Sequence, residues 1–225
     1  MTTPPTQLLL ASASPRRRQL LNLLGLPYEL AVSPVDEDLL QSTYQGCAEE
    51  LAEWTARQKA LGATELLAAR PEAVMITADT TVLLDNQELG KPRDEAHAFE
   101  LLSSLRGRWH RVITGVVISR FEDGELKMHG GSCTTPVLMR PYSDEEIRAY
   151  IATKDPLDKA GAYGIQHPSF QPTERIQGCY LNVVGLPACL LVNLLAEYSI
   201  YPATRSHHAT GCPWSERCLL TQESQ

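Results

Sequence analysis

The sequence predicts an α/β fold, and three observations lead to that prediction. Apolar runs of strand length alternate with segments whose apolar residues recur at helical spacing. The central part of the chain contains successive strand patterns joined by turn residues, which is typical of a hairpin within a sheet. The chain has 225 residues, of which 43% are apolar, so it is long enough for one domain or for two small lobes around one cleft.

The first half of the chain starts with a strand, a loop and a helix. Residues 7–11 form an apolar strand pattern. Ser14 and Pro15 are typical of the start of a helix, and Gly25 is typical of the position after its end. The further predicted elements are a strand at 28–32, a helix at 48–69, a strand from 73 to 84, a turn at Asp85-Asn86, a return strand at 87–91 and a helix at 94–105 that Asp94 caps.

The second half of the chain continues with a hairpin and further helices. Ser143 and Glu146 have the spacing of a capping box, in which the side chain of each residue bonds to the backbone of the other. The predicted elements are strands at 110–120 and 125–139 joined by a turn at 122–124, a helix from Ser143, a stretch at 155–187 rich in glycine and proline, and a last helix from Pro187.

We expect one domain at 1–201 and a polar, flexible tail at 202–225. The tail contains four residues of two types that bind zinc, histidine and cysteine, but its two cysteines are spaced more widely than the tight pairs of structural zinc sites. A solvated tail is therefore the favoured interpretation. The six cysteines of the chain are scattered and predict thiols rather than a disulfide framework. The four potential zinc ligands are His207, His208, Cys212 and Cys218.

Charge and hydropathy disfavour several classes of protein. Twenty basic and 27 acidic residues give a net charge of −7, whereas a nucleic-acid binder needs a basic face. No apolar run approaches the roughly 20 residues that span a bilayer. The N-terminus carries no positive charge before an apolar core, so it does not resemble a signal peptide. We therefore expect a cytoplasmic protein without nucleic-acid or membrane partners, in which any anion site is a local basic cluster.

The first candidate for chemistry follows the first strand, where Ser12 and Ser14 precede Arg16 and Arg17. The backbone N–H groups at a helix N-terminus favour anions, and the two side-chain types add hydroxyl and guanidinium donors. Cations oppose the helix dipole at this end, so their presence makes sense if an anion binds there. A solvated basic turn with an ordinary helix cap explains these residues equally well when they are taken alone.

The second candidate is Asp79, a carboxylate within a stretch that is otherwise apolar or hydroxylated. Metal coordination or general-base catalysis would give such a carboxylate a function, and a turn aspartate at a bulge is the alternative. The acidic run Asp36-Glu37-Asp38 could join it on a divalent ion, although acidic runs are more often solvated loops.

Three further polar residues could contact a nucleotide. Lys59 on a predicted helix and Lys91 in a turn are possible counter-charges to phosphate, or surface lysines with packed stems. Gln166 follows two glycines, and its amide offers both the donor and the acceptor that reading a pyrimidine edge requires. The alternative for Gln166 is an exposed amide in a tight turn.

In their order along the chain, these motifs closely resemble the Maf family of nucleoside triphosphate pyrophosphatases. The resemblance covers about residues 7–197, and the tail beyond has no counterpart in the family pattern. The matching segments are Leu-Ala-Ser-Ala-Ser-Pro-Arg-Arg at 10–17, Val-Asp-Glu at 35–37, Lys59-Ala60, Ala78-Asp79-Thr80, Gly90-Lys91-Pro92, and parts of 105–112, 158–166 and 183–187.

The resemblance implies an elongated mixed twisted sheet flanked by helices around a central cleft, as in the inosine triphosphate pyrophosphatases. It implies that a nucleoside triphosphate is cleaved between its α- and β-phosphates with a divalent metal, Mg²⁺ or Mn²⁺, in a homodimer. By the same resemblance, Asp79 is the catalytic acid–base residue and shares the metal with Glu37. The residues that would contact the polyphosphate are Ser12, Arg17, Lys59 and Lys91.

At three positions, the residues of this chain are similar to those of the family branch that cleaves dTTP and UTP. The branch that acts on 7-methyl-GTP typically has tryptophan, glutamine and glutamate where this chain has Arg16, Thr80 and Gln166, so these three are the predicted specificity residues. His167-Pro168-Ser169 departs from the glycine-rich stretch of many relatives. Two alternatives stay open, namely the same reaction on another base such as 7-methyl-GTP, and a nucleotide-binding regulator of cell division without turnover.

Overall fold

A mixed β-sheet runs through the protein, whose computed structural model describes residues 7–36, 39–40 and 43–202. Within those residues, β1 is parallel to both of its neighbours and the other pairs are antiparallel. The strands are β1 (Leu8–Leu10), β2 (Tyr28–Leu30), β3 (Val74–Leu84), β4 (Gln87–Glu88), β5 (Trp109–Glu122), β6 (Glu125–Met139) and β7 (Thr173–Ile176). Their order is β2-β1-β3-β5-β6-β7, with β4 paired to β3. The predicted α/β class is confirmed.

Helices cover both faces of this sheet, and their ends follow the sequence signals. Ser14 accepts a hydrogen bond from the N–H of Arg17, and Ser143 and Glu146 form the predicted capping box. The helices are α1 (Pro15–Leu23), α2 (Leu51–Gly62), α3 (Thr64–Ala68), α4 (Glu95–Leu105), α5 (Asp144–Ala152), α6 (Tyr180–Val184) and α7 (Ala188–Ala196), with 3-10 turns at Asp155–Asp158 and Ala160–Ala162.

Two apolar clusters on one face of the sheet leave a gap between them. One cluster packs α1 and α7 against one end of β3, and the other packs α4 and α5 against its other end. On β3, Ala78 belongs to the first cluster and Val82 to the second, and Thr80 lies between them. On β5 the position between the clusters is Thr114, which pairs with Thr80. Polar residues therefore lie at the bottom of the gap between the two helix groups.

The opposite face of the sheet is covered by α2 and α3. Gly115 on β5 makes this packing possible, because a Cβ at that position would lie 2.3 Å from the Cα of Glu53. The backbone of α2 therefore lies directly on the sheet beside Asp79, which pairs with Gly115.

Several predicted boundaries are wrong. The helix predicted at 48–69 begins only at Leu51 and divides after Gly62, a poor helix former, where Ala63 leaves helical geometry. The return strand at 87–91 is reduced to β4. The glycine-rich stretch at 155–187 contains β7 and α6, which local patterns did not indicate.

Residues 203–225 lie outside the described part of the chain, and so do the four potential zinc ligands of the tail. Within the part that is described, no helix has the length and apolar character needed to cross a membrane.

Candidate active site

The gap between the two helix groups opens into a cleft of about 530 Å³. Most of the side chains singled out from the sequence line this one cleft, although they are far apart along the chain. They are Ser12, Arg16, Arg17, Asp79, Thr80, Lys91 and Gln166. Lys59 does not line it but bonds directly to Asp79, and Glu37 lies outside the described residues.

An open edge of β3 lets residues from both faces of the sheet reach the cleft. β1 pairs with β3 only as far as Ile76, and β4 joins β3 only at Leu83. The strand edge between them contains Asp79 and Thr80, whose side chains point to opposite faces. Because the cleft lies along this edge, both residues line it.

Arg17 is held rigidly at the floor of the cleft, with 8% of its surface exposed. Its Nε donates to the carbonyl oxygen of Gly185 at 2.9 Å. Its two terminal nitrogens donate to the hydroxyl oxygens of Ser12 and Thr80, each at 3.2 Å. These three directed hydrogen bonds fix the plane of the guanidinium, which suits it to bidentate contact with phosphate oxygens.

A chain of hydroxyl groups supports Arg17 from below. The Thr114 hydroxyl donates to the backbone oxygen of Asn182 at 3.0 Å and lies 2.9 Å from the Thr80 hydroxyl. A hydroxyl has a single proton, so Thr80 is the donor to Thr114. Thr80 in turn accepts from Arg17, and the orientation of its hydroxyl is thereby set by both neighbours.

Asp79 is buried, and within the described residues only one of its two carboxylate oxygens is bonded. The Lys59 ammonium group donates to Oδ1 at 2.7 Å, and both residues have 5% or less of their surface exposed. The other oxygen, Oδ2, has no hydrogen-bond partner among the described residues. A buried carboxylate oxygen without a partner is costly, so this atom is suited to a proton, a water molecule or a cation.

The Oδ2 atom of Asp79 is the type of ligand that a divalent metal uses, because hard cations prefer oxygen ligands. Desolvation and the negative charge of Asp79 raise the pKa of Glu88, an exposed residue of β4, so a second carboxylate lies near. In the described ranges, however, no group of three or more His, Cys, Asp or Glu side chains is arranged to hold a metal ion. Glu37, the other predicted ligand, lies outside those ranges, so the metal site stays a prediction.

Gln166 lies at the rim of the cleft and is paired with a tyrosine that the sequence analysis did not identify. A hydrogen bond joins its amide to the hydroxyl of Tyr180 on α6. Burial raises the pKa of Tyr180, and the bond to Gln166 partly offsets that rise. The tyrosine therefore stays protonated at neutral pH and orients the amide.

The wall opposite Arg17 is a loop fixed by its own hydrogen bonds. The Lys159 ammonium group donates to Asp155 at 2.9 Å and to Asp158 at 2.7 Å. The Tyr150 hydroxyl also donates to Asp155, at 2.5 Å, and accepts from the N–H of Gly164 at 2.8 Å. Lys159 offsets one of the two acidic charges, so the loop adds one net negative charge to a cleft that contains Arg16, Arg17 and Lys91.

The site can bind a polyanion and place a carboxylate next to it. Arg16, Arg17 and Lys91 provide positive charge on the cleft wall, and Asp79 provides an oxygen that lacks a partner in the described structure. Thr114, Asn182 and Tyr180 support the site but were missed in the sequence. A polar residue at a buried position, such as Thr114 between apolar neighbours on β5, was the only available signal.

A model of the Maf-like protein family matches residues 7–198. This chain belongs to the Maf family. Its placement among the Maf proteins agrees with the ordered motifs of the sequence, and the matched region contains every predicted site residue, including Glu37.

Relatives of this Maf protein are similar over most of their length. A dTTP/UTP pyrophosphatase of Thermomicrobium roseum is 43% identical over 213 residues, which cover 95% of this chain and 93% of that protein. A dTTP/UTP pyrophosphatase of Bacillus velezensis is 43% identical, covering 86% and 97%. One of Dehalococcoides mccartyi is 40% identical, covering 87% and 84%. The alignment with the Thermomicrobium protein includes part of the tail, because the tail makes up more than 5% of this chain.

Proposed function

We propose that this Maf protein hydrolyses dTTP and UTP between the α- and β-phosphates, releasing the nucleoside monophosphate and pyrophosphate. One observation carries the proposal: residues distant in sequence line a single cleft that combines a rigid arginine, further cations and a buried carboxylate with one unpartnered oxygen in the described structure. Relatives that carry the name dTTP/UTP pyrophosphatase, at about 40% identity over most of the chain, support the choice of substrate.

The polyphosphate binds to the cationic floor and wall of the cleft. Arg17 offers a guanidinium whose orientation is already fixed, so little side-chain entropy is lost when phosphate oxygens bind. Lys91 and Ser12 line the same cleft and add an ammonium and a hydroxyl group. Negative charge builds up on the pyrophosphate as it leaves, and these donors stabilise that charge.

Asp79 accepts the proton of the attacking water. Lys59 holds Oδ1, so Oδ2 is the oxygen that faces the water. We propose that Asp79 and Glu37 also hold Mg²⁺ or Mn²⁺. When bound, the metal supplies positive charge that lowers the repulsion between phosphate oxygens and nucleophile and lowers the pKa of bound water. Attack at the α-phosphorus needs no covalent intermediate with the protein.

Selection of the base rests on the rim of the cleft. Gln166, oriented by Tyr180, offers an N–H donor and a carbonyl acceptor to the edge of thymine or uracil. Arg16 lines the same cleft. Thr80 acts through Arg17, since its hydroxyl is engaged by Arg17 and Thr114.

A nucleotide panel with pyrophosphate detection tests the proposal. Wild type and Asp79→Asn are assayed with Mg²⁺ and with Mn²⁺ on dTTP, UTP, the other common triphosphates and 7-methyl-GTP. We expect pyrophosphate from dTTP and UTP, and a loss of about 10²-fold or more in Asp79→Asn. Preference for 7-methyl-GTP would favour the other branch of the family, and binding without turnover would favour the regulator.

The quaternary state and the location in the cell are separate proposals. We propose a cytoplasmic homodimer on the strength of the family resemblance. Light scattering of the purified chain tests the dimer.

A further inference from the structure

Two thiols lie beside the cleft but take no part in the proposed reaction. Cys133 on β6 pairs with Thr114 on β5, which pairs with Thr80 on β3. Cys133 therefore extends the row of side chains that supports Arg17. Cys179 is the residue immediately before α6, and both thiols are partly exposed.

The chain before α6 brings Cys179 back along β6. The Thr135 hydroxyl donates to the carbonyl oxygen of Cys179 at 3.2 Å. Gly178 has a φ of 130°, a left-handed conformation that favours glycine, and this lets the chain turn close to β6. A Cβ at Gly178 would lie 3.4 Å from the Thr135 hydroxyl. This close approach places Cys179 next to Cys133, two residues from Thr135 on β6.

The two thiols are hydrogen-bonded to each other. The bond from the Cys133 thiol, assisted by the N–H groups of Asn182 and Leu181, lowers the pKa of Cys179 to about 7 although burial acts in the opposite direction. The same bond, together with burial, raises the pKa of Cys133. The pair therefore combines a thiolate at neutral pH with a neighbouring thiol that remains protonated, which is the arrangement of an attacking and a resolving cysteine.

We propose that Cys133 and Cys179 are a redox-reactive pair that a peroxide converts into a disulfide, and that this disulfide slows turnover in the cleft. The Cys179 thiolate attacks one oxygen of hydrogen peroxide and the O–O bond breaks. This gives a sulfenic acid and a hydroxide ion, which takes one proton from the solvent to become water. The Cys133 sulfur then displaces the sulfenic oxygen, which leaves as a second water with the proton from Cys133. The two sulfurs lose two electrons, and one peroxide is reduced to two waters.

The disulfide would change the cleft through α6. Its sulfurs must approach to about 2.05 Å, so the side chains of Cys133 and Cys179 have to move together, and we expect the residues just before α6 to shift with them. α6 carries Tyr180, which bonds to Gln166, and Asn182, which accepts from Thr114. Both the base contact and the support of Arg17 depend on this helix. This part of the inference rests on the proposed function.

Peptide mapping after peroxide treatment tests the pair itself. The full chain is treated with hydrogen peroxide, free thiols are alkylated, and the protein is digested without reductant. We expect a peptide that links Cys133 to Cys179, lost in Cys133→Ser and in Cys179→Ser. It should be retained in the control Cys47→Ser, whose thiol is exposed and lies in the segment before α2. A missing link, or one that joins Cys133 to Cys189, overturns the assignment.

Enzyme kinetics on the same samples test whether the disulfide slows turnover. We expect a several-fold fall in kcat/KM for dTTP after oxidation, restored by dithiothreitol and absent in peroxide-treated Cys179→Ser. A linked protein with unchanged kcat/KM overturns the coupling. If the reduced protein cleaves no nucleotide, the proposed function fails. In that case the peptide mapping still shows whether Cys133 and Cys179 form a disulfide. Amide hydrogen exchange at 180–184, compared before and after oxidation, shows whether the disulfide moves α6.

Discussion

Lys59 and Asp79 form a 2.7 Å ion pair across the packing of α2 on β3, with both side chains almost fully buried. The pair occupies one carboxylate oxygen and leaves the other without a hydrogen-bond partner in the described structure. The asymmetry between the two oxygens distinguishes this aspartate from one that only balances a charge. Lys59 had been predicted to contact the polyphosphate. The ion pair shows that Lys59 also holds Asp79 in place, and its contact with the polyphosphate stays a prediction.

Replacement of Lys59 should destabilise the protein strongly. Lys59→Met leaves a buried carboxylate without its cation, and we expect a loss of about 3–5 kcal/mol in the free energy of unfolding. The double variant Lys59→Met, Asp79→Asn should recover much of that loss, since the uncompensated charge is gone. Urea denaturation measures both.

The control for this comparison is Lys127→Met, which breaks an exposed ion pair with Glu125. Its loss should stay below about 1 kcal/mol. If Lys59→Met and Lys127→Met lowered the free energy of unfolding equally, the buried ion pair would contribute no more to stability than an exposed one.

Thr114 should affect substrate binding without touching the substrate. Thr114→Val removes the acceptor for Thr80 and the donor to Asn182. Of the two lost hydrogen bonds, the one from Thr80 bears on the orientation of Arg17. A cost of about 1 kcal/mol for that bond corresponds to about a 5-fold rise in KM for dTTP. The matched control is Thr77→Val, another fully buried threonine, which bonds to Ala56 on the other face of the sheet. The same rise in KM in both variants would show that Thr114 does not position Arg17.

Gln166→Glu should change which nucleotides are cleaved. A carboxylate accepts hydrogen bonds but does not donate them when ionised, so the contact to a pyrimidine carbonyl is lost. We expect kcat/KM for dTTP and UTP to fall relative to that for other triphosphates in a steady-state panel. Gln177→Glu makes the same chemical change at an exposed glutamine outside the cleft. An unchanged substrate ranking in Gln166→Glu would exclude the amide from base selection.

His110 should make stability depend on pH. Burial lowers the pKa of His110 from 6.5 to about 4, and its Nε2 lies 2.7 Å from the hydroxyl of Tyr163. The unfolded chain therefore binds a proton at higher pH than the folded one, and stability falls as the pH drops below about 6.5. Between pH 7 and pH 5 this amounts to about 2 kcal/mol.

The measurement is urea denaturation of wild type and His110→Gln at pH 7 and at pH 5. Glutamine can still bond to Tyr163 but does not titrate. The drop in stability between the two pH values should be about 2 kcal/mol smaller in the variant. Identical drops in the two proteins would contradict the burial of a neutral His110.

The sequence predicted the site better than the network that supports it. The residues around Arg17 and Asp79 were found because charged side chains at a strand end or within an apolar strand are unusual and need a reason. Thr114 and Asn182 were missed, because a buried threonine or asparagine becomes significant only when its partners from other strands and helices are known. The cleft itself depends on two helix groups that pack at different ends of β3, a long-range relationship.

Local signals also predicted helix starts better than helix ends. Ser14, Asp94 and Ser143 cap helices as expected, because capping depends on residues three positions apart. The end of α2 at Gly62 and the existence of α6 were not predicted, and α6 depends on packing against β5 and β6.

Product analysis by ³¹P NMR in ¹⁸O-labelled water tests the central claim most directly. The protein is mixed with dTTP and Mg²⁺, and the products are followed by chemical shift and isotope shift. The account predicts equal amounts of dTMP and pyrophosphate, with the label on the phosphate of dTMP. Formation of dTDP and inorganic phosphate, label in the pyrophosphate, or no cleavage of dTTP and UTP would contradict it.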